Sequence, residues 1–219
     1  MELKHDFENN LIPEFVQREL NRLDKIATWV SRLFSPPLMI LLGLIIAALA
    51  INTPEAWQWA GFYTIMVVIL PAVYIYWKMR RGEITDFHMN VREQRIKPLA
   101  VSLALTLGVW LMMLVQSAPQ AFIIFGASGA LQLAAIFLIT LRWKISGHSA
   151  TIASLAVVLV ALFGLAMAPV LLTIPLVAWA RVRLSRHEMM QTIGGALAGI
   201  VFTLLAIYLI YLSGWTVTF

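Results

Sequence analysis

The stretch MQTIGGALAGIVFTLLAIYLIYL, residues Met190–Leu212, contains no Asp, Glu, Lys or Arg. A helix of this length covers the hydrocarbon core of a bilayer, which is about 30 Å thick. Six further charge-free segments precede it: Leu38–Ile51, Trp57–Trp77, Leu99–Gln116, Ala121–Leu141, His148–Ala166 and Pro169–Ala180, the last extending toward Arg183. The pattern predicts an all-α integral membrane protein with a bundle of about seven transmembrane helices. The first, fifth and sixth segments are short, and the fifth and sixth together also fit a partly re-entrant pair.

Composition supports a membrane protein and excludes several other classes. The chain of 219 residues is 61% hydrophobic and 12% charged, which is more apolar surface than a soluble core of this size can bury. We therefore predict a single membrane domain over residues 36–219. Cysteine is absent from the sequence, which excludes disulfides, thiolate catalysis and Cys-ligated metals. The sequence pI of about 9.8 also suits a nucleic-acid partner, but none is expected because the basic residues lie between apolar segments.

The basic residues predict the orientation of the chain. All 16 Lys and Arg fall before the first span, or in the loops after the second, fourth and sixth spans. These loops lie on one side of a seven-span protein, and the positive-inside rule assigns that side to the cytoplasm. We expect a multi-pass protein of the cell membrane, inner or plasma, with a cytoplasmic amino terminus and an extracytoplasmic carboxyl terminus at Phe219.

The segment before the first span has helical periodicity. In Pro13–Phe34 the apolar residues recur at helical spacing, and the basic residues lie largely off that stripe. The stripe comprises Val16, Leu20, Leu23, Ala27, Val30 and Phe34. We interpret residues 1–35 as a cytoplasmic segment with an amphipathic helix in the membrane interface. The alternative is a helix that docks a partner protein.

Two short clusters carry the candidate chemistry. In the first, Ser146 and Gly147 precede His148 just before an apolar run, so Ser146 is a candidate N-cap and the following amides form an anion site. Lys144 adds a cation beside it. In the second, a guanidinium at Arg181 is followed six residues later by the imidazole of His187. Bidentate guanidinium groups bind phosphate oxygens, and imidazoles attack phosphorus or transfer protons.

These clusters make residues 80–212 resemble the type 2 phosphatidic acid phosphatase superfamily of membrane lipid phosphatases. The family's Pro-Ser-Gly-His motif is similar to Ile145-Ser146-Gly147-His148. Its motif of Ser-Arg, five residues, His, three residues and Asp aligns with Ala180-Arg181, His187 and Gln191, so Gln191 stands where the family has aspartate. The first motif, Lys followed by Arg-Pro, aligns either with Asn90 and Lys97-Pro98 or with His88 and Arg95.

The resemblance implies a mechanism and a set of roles. His187 would be the nucleophile that forms a phosphohistidine, His148 would protonate the leaving oxygen, and Gln191 would orient His187. Arg181 would hold the phosphoryl oxygens as a member of the catalytic set. The phosphate-binding residues would be Arg92, Arg95, Lys97, Lys144, Ser146 and Gly147. The implied substrate is a membrane lipid phosphate or a polyprenyl diphosphate, and neither a metal nor a cofactor is expected.

Other interpretations of the same residues remain open. Basic clusters at helix ends commonly serve only as topological signals, and histidines at such ends are sometimes merely interfacial. The alternative function is a non-catalytic member of this superfamily that acts as a structural membrane subunit, binding lipid or a pigment-bearing complex. A homo-oligomer or a subunit of a membrane complex is compatible with the sequence under either function. A transporter is less favoured, because no span carries a central ionisable residue.

Overall fold

The computed structural model describes residues 14–86, 89 and 91–212, and every regular element in those ranges is a helix. The helices are α1 (Glu14–Leu33), α2 (Pro36–Ile51), α3 (Pro54–Arg80), α4 (Ile96–Val115), α5 (Gln120–Thr140), α6 (Gly147–Phe163), α7 (Thr173–Arg183) and α8 (Met189–Leu212). Short 3-10 segments, Glu93–Arg95 and Leu165–Leu172, lead into α4 and α7. The prediction of an all-α protein is confirmed for the described part of the chain.

Within the described part of the chain, five helical segments are long and apolar enough to cross a bilayer. They are Pro54–Arg80, Glu93–Val115, Gln120–Thr140, Leu165–Arg183 and Met189–Leu212. A sixth span results if Arg18–Leu33 and Pro36–Ile51 are taken as one pair, which bends by 50° at its break. Helix α6 is apolar but, at 17 residues, shorter than each of these five segments. The chain is a multi-pass membrane protein, and a bundle of seven transmembrane helices stays a prediction.

Helix α1 packs against α7. Of the predicted apolar stripe, Ala27 is buried, and Val30 and Phe34 are half-buried against the cluster around Val177 and Ile152. The side chain of Val16 lies outside the described residues. Thus part of the stripe contacts the protein itself, since an amphipathic face suits a helix neighbour as well as a lipid surface. The location of α1 in the membrane interface stays a prediction.

Helix α3 contains a π-helical segment at its centre, Thr64–Ile69. Pro71 follows this segment, and proline has no N–H to donate to the carbonyl four residues earlier. The backbone accommodates the proline by a wider turn, in which the Leu70 N–H donates to the Ile65 carbonyl five residues back. Such π-bulges bend helices and often occur at functional sites. Here Val67 and Pro71 both line the main cavity of the bundle.

Helices α6 and α8 form a close contact through small residues. A Cβ built on Gly195 would collide with the Ser146 carbonyl oxygen, and one on Gly199 would collide with that of Ala150. Only glycine permits backbones to approach so closely, as is common between membrane helices. This contact positions the start of α6 beside the start of α8, where the two predicted histidine clusters lie.

Candidate functional site

A cavity of about 480 Å³ lies among the helix ends that carry the basic residues. We call these helix ends the basic end of the bundle. The guanidinium-bearing residues Arg32, Arg95 and Arg181 line the cavity together with His148 and His187. None of the described residues of the lining carries a carboxylate. A wall with this excess of positive charge attracts an anionic group.

The start of α6 is built as the sequence suggested. Ser146 is the N-cap, and its Oγ accepts a hydrogen bond from the Ser149 N–H at 3.3 Å. The Ser146 N–H donates to the Gln191 carbonyl at 3.1 Å, which ties α6 to α8. Gly147 and His148 line the cavity, whereas Ser146 is fully buried and does not. Ser146 therefore positions the helix terminus, and Gly147 and His148 are the residues of this motif that line the cavity.

The turn after α7 brings His187 back to Arg181. Ser185 has a φ of 51°, and this left-handed residue reverses the chain at the helix end. The Arg181 carbonyl then accepts hydrogen bonds from the N–H groups of Arg186 at 3.0 Å and His187 at 3.3 Å. A guanidinium and an imidazole that are six residues apart in sequence thus line the same cavity.

Gln191 contacts His187 through one atom. Gln191 Oε1 lies 3.0 Å from His187 Nδ1 and also accepts the backbone N–H of Glu188 at 3.4 Å. Because a backbone N–H can only donate, the atom facing both groups is the amide oxygen. His187 Nδ1 consequently carries the proton, and the lone pair resides on Nε2. This is the tautomer that a nucleophilic imidazole needs.

The His187 imidazole is held in its neutral form. Burial, together with repulsion from the nearby cations Arg181, Arg95 and Lys144, lowers its pKa from the ordinary 6.5 to about 3. The hydrogen bond to Gln191 opposes these effects only in part. A neutral amide does not stabilise an imidazolium as a carboxylate does. At pH 7 the ring is thus neutral, and its unprotonated Nε2 is able to attack.

Arg181 is buried with part of its hydrogen-bonding capacity unused. Its side chain is only 2% exposed, and its Nη1 donates to Ser31 Oγ of α1 at 2.9 Å. Its Nε has no hydrogen-bond partner within the described part of the chain. A buried guanidinium with a free donor that lines a cavity is costly unless a ligand accepts from it.

The remaining predicted phosphate ligands differ in position. Arg95 lines the cavity and donates to the Met89 carbonyl at 2.7 Å and the Ile145 carbonyl at 3.3 Å. Arg92 instead donates to the Leu141 carbonyl at 2.8 Å and pairs with Glu93. Lys97 is exposed, and neither Arg92 nor Lys97 lines the cavity. Of the two alignments of the first motif, the one through Arg95 therefore supplies a cavity residue. Its partner His88, like Asn90 of the other alignment, lies outside the described residues.

Lys144 is half-buried near the cavity without lining it. Burial lowers its pKa below the usual value, and Arg95, Arg181 and Arg186 lower it further by repulsion. The repulsion from these three arginines shows that the basic groups share one electrostatic environment, although attraction to Asp86 offsets part of it. They repel one another there, and a bound anion would relieve that repulsion.

Sequence reasoning missed two groups of cavity residues. The first is Ser31 with Arg32 on α1, which no sequence pattern places near Arg181. The second is a set of polar residues deeper in the cavity, including Ser128, Gln132 and Thr151. The signal available was the spacing of Ser128 and Gln132, four residues apart in an otherwise apolar helix.

The fold and the cavity define the class of this chain: an all-helical, multi-pass membrane protein with a cationic, histidine-lined cavity at one end of its bundle. The chain matches no family model, no curated protein and no solved structure. The resemblance to lipid phosphatases therefore rests on Ser146-Gly147-His148, Arg181 and His187.

Proposed function

We propose that this protein is a membrane phosphatase that hydrolyses a lipid phosphate or a polyprenyl diphosphate through a phosphohistidine on His187. The observation that carries the proposal is the joint lining of one cavity by neutral His187, His148 and three arginines, with no carboxylate among the described lining residues. Nucleophilic catalysis needs an unprotonated imidazole, and phosphoryl transfer needs positive charge around the equatorial oxygens.

The reaction would proceed in two steps. Nε2 of His187 attacks phosphorus, and the bond from phosphorus to the leaving oxygen breaks; this is an ester bond in a lipid phosphate and an anhydride bond in a diphosphate. Its electron pair leaves with that oxygen, to which His148 gives a proton. Water then attacks the phosphohistidine and gives its proton back to His148, releasing inorganic phosphate and restoring His187. The guanidinium of Arg181 supplies donors to the charge that builds on the phosphoryl oxygens. Arg95 and the Gly147 amide, whose residues also line the cavity, would donate to the same phosphoryl oxygens.

The cavity walls suit a substrate that arrives from the membrane. Away from the basic groups they are formed by apolar residues of α2, α3 and α5, including Ile40, Val67 and Leu133. An acyl or isoprenoid chain would contact these walls while its phosphate reaches the basic end. With the basic end in the cytoplasm, the lipid would enter from the cytoplasmic leaflet of the cell membrane.

Phosphate release from a panel of lipid phosphates by the full-length protein in nanodiscs tests the proposal. We expect His187→Ala to lower turnover by about three orders of magnitude or more, because the nucleophile is lost. Wild-type protein quenched during turnover should carry phosphate that is stable in alkali and labile in acid, as expected for phosphohistidine. Arg142→Gln is the matched control, since Arg142 is an exposed basic residue outside the cavity lining. Turnover that survives in His187→Ala would overturn the phosphohistidine mechanism.

A non-catalytic lipid-binding subunit is the second candidate. Gln191 favours it, because the amide at 3.0 Å from His187 leaves an imidazolium without a countercharge. The two candidates differ in one measurement. A subunit would bind lipid phosphates with an affinity that depends on Arg181, yet would release no phosphate from any of them. Its partner would then be sought by co-purification from membranes.

A further inference from the structure

The deeper part of the cavity is polar in a way that phosphate chemistry does not explain. Ser128 and Gln132 both line the cavity, and they are 2% and 6% exposed. Ser128 Oγ and Gln132 Oε1 have no hydrogen-bond partner within the described residues. Polar groups inside a membrane domain are costly when unpartnered, and they are typically retained for a function. Two apolar side chains at these positions would form the same wall without the free-energy cost of burying unpartnered polar groups.

The position of these groups relative to the basic end can be read along the helices. Gln132 Nε2 donates to Thr151 Oγ1 at 3.5 Å, and Thr151 lies three residues beyond His148 on α6. Gln132 is therefore about 4.5 Å deeper along the bundle than His148, and Ser128 is about one helical turn deeper again. A ligand whose phosphate contacts the histidines would place the first atoms of its lipid backbone at this level.

A further hydroxyl group faces the same region from α3. A Cβ built on Gly129 would lie 2.9 Å from the Tyr63 hydroxyl oxygen, so Tyr63 ends against the turn of α5 that carries Ser128. Tyr63 also lines the cavity. The cavity thus has cationic groups at the basic end, hydroxyl and amide groups one to two turns deeper, and apolar walls around them.

We propose that Ser128 and Gln132 form a subsite for the backbone of the lipid and that this subsite sets the substrate class. It selects lipid phosphates that carry a hydroxyl or amide N–H within a few bonds of the phosphate, as monoacylglycerol and sphingoid phosphates do. The ligand donor would bond to Gln132 Oε1, and a ligand hydroxyl would accept from Ser128. Polyprenyl phosphates have a hydrocarbon tail without such groups and would bind more weakly. This inference rests on the proposed function for the binding of the lipid phosphate. The subsite for the lipid backbone rests on the unpartnered Ser128 Oγ and Gln132 Oε1.

The test measures binding without turnover. The probes are two alkyl phosphonates of equal chain length, one with a hydroxyl group on the second carbon from phosphorus and one without, each titrated into the full-length protein in nanodiscs. We expect the hydroxylated phosphonate to bind about three- to tenfold more tightly, the range given by one net hydrogen bond. Gln132→Met and Ser128→Ala should reduce that preference to near unity, leaving the Kd of the plain phosphonate within about twofold of its wild-type value.

Thr106→Val is the matched control. Thr106 is a fully buried hydroxyl residue of α4 that does not line the cavity, so this variant should keep the wild-type preference. Equal binding of the two phosphonates to wild type, or a preference that persists in both cavity variants, would overturn the subsite. If Gln132→Met does not fold, Ser128→Ala, which removes a single oxygen atom, decides alone. If the protein prefers the hydroxylated phosphonate but releases no phosphate from lipid phosphates, the subsite is supported and the phosphatase is rejected. If it releases phosphate but binds the two phosphonates equally, the phosphatase is supported and the subsite is rejected.

Discussion

Gln191 decides how the candidate site balances charge. Its amide oxygen fixes the tautomer of His187 at 3.0 Å, which a carboxylate would also do. In the proposed reaction the difference would appear when the imidazole attacks, because the ring would gain positive charge beside Arg181 and Arg95 while its partner at Nδ1 stays neutral. Under this proposal the wild-type site is oriented for attack but poorly compensated during it.

Restoring a carboxylate at position 191 should accelerate the proposed reaction. Gln191→Glu keeps the reach of the side chain, and Gln191→Asp supplies the residue of the resembled family. Either carboxylate should raise the pKa of His187 and increase turnover by about tenfold or more, since charged hydrogen bonds contribute roughly 1.5–3 kcal/mol. Rates and their pH profiles measure both effects. Gln116→Glu, the same change at an exposed position outside the cavity lining, should leave the rate unchanged. No increase in either variant at position 191 would argue against His187 as nucleophile.

The low pKa of His187 also predicts a pH-dependent stability. The unfolded chain binds a proton at His187 below about pH 6.5, whereas the folded protein does not until about pH 3. The stabilisation is complete above pH 6.5 and is lost as the pH falls toward 3, by at most about 1.4 kcal/mol per pH unit. Thermal unfolding in detergent between pH 7.5 and 4.5 should show a shallower decline for His187→Gln than for wild type. Parallel declines would mean that the folded imidazole titrates normally.

At the scale of elements, the contact between α6 and α8 could be anticipated from sequence, but its consequence could not. The spacing of Gly195 and Gly199 predicts close helix packing, and the structure places both against backbone carbonyls of α6 and its N-cap. That this contact aligns Ser146 with Gln191 follows only from the register between the two helices. Similarly, Pro71 signals an irregular helix, but whether the backbone kinks or widens into a π-turn depends on the packing around it.

Helix packing at Gly199 should be intolerant of a single methyl group. Gly199→Ala would force α8 away from the Ala150 carbonyl, and we expect a loss of about 1–3 kcal/mol in stability, typical of overpacked sites. Gly108→Ala is the matched control, because a Cβ there meets nothing within 4 Å and alanine favours helix. Melting temperatures in detergent distinguish the two variants. Equal temperatures would show that α6 and α8 adjust freely.

At the scale of the whole molecule, the pattern of basic and histidine residues predicted the residues of the candidate site. Arg95, His148, Arg181 and His187 do line one cavity. The pattern could not assign Ser31 on α1 to Arg181, nor separate Arg95 from Arg92, since both arginines lie in one short basic loop. Nor did the pattern reveal the role of Ser128 and Gln132 on α5. These two residues share a helix face, but the sequence does not show which neighbouring helices or cavity that face contacts.

The short helices α2 and α6 determine the topology of the chain. If α6 did not cross the membrane, α7 alone would carry Arg181, Arg183 and Arg186 to the face opposite Arg142 and Lys144, against the positive-inside rule. We therefore expect seven crossings. Because the sequence has no cysteine, single cysteines can be introduced without removing native ones. An impermeant maleimide should label Arg142→Cys and Ser185→Cys only in inverted vesicles.

The opposite end of the bundle provides the matched positions. Asn52 and Gln116 follow α2 and α4 and are exposed, so Asn52→Cys and Gln116→Cys should be labelled only in right-side-out vesicles. Permeabilised membranes, in which every variant reacts, control for accessibility. Labelling of Asn52→Cys from the same side as Arg142→Cys would remove α2 from the set of crossings. Labelling of Ser185→Cys from the side opposite Arg142→Cys would mean that α6 is re-entrant. His148 and His187 would then face different compartments, and neither the phosphatase nor the lipid-backbone subsite would survive that result.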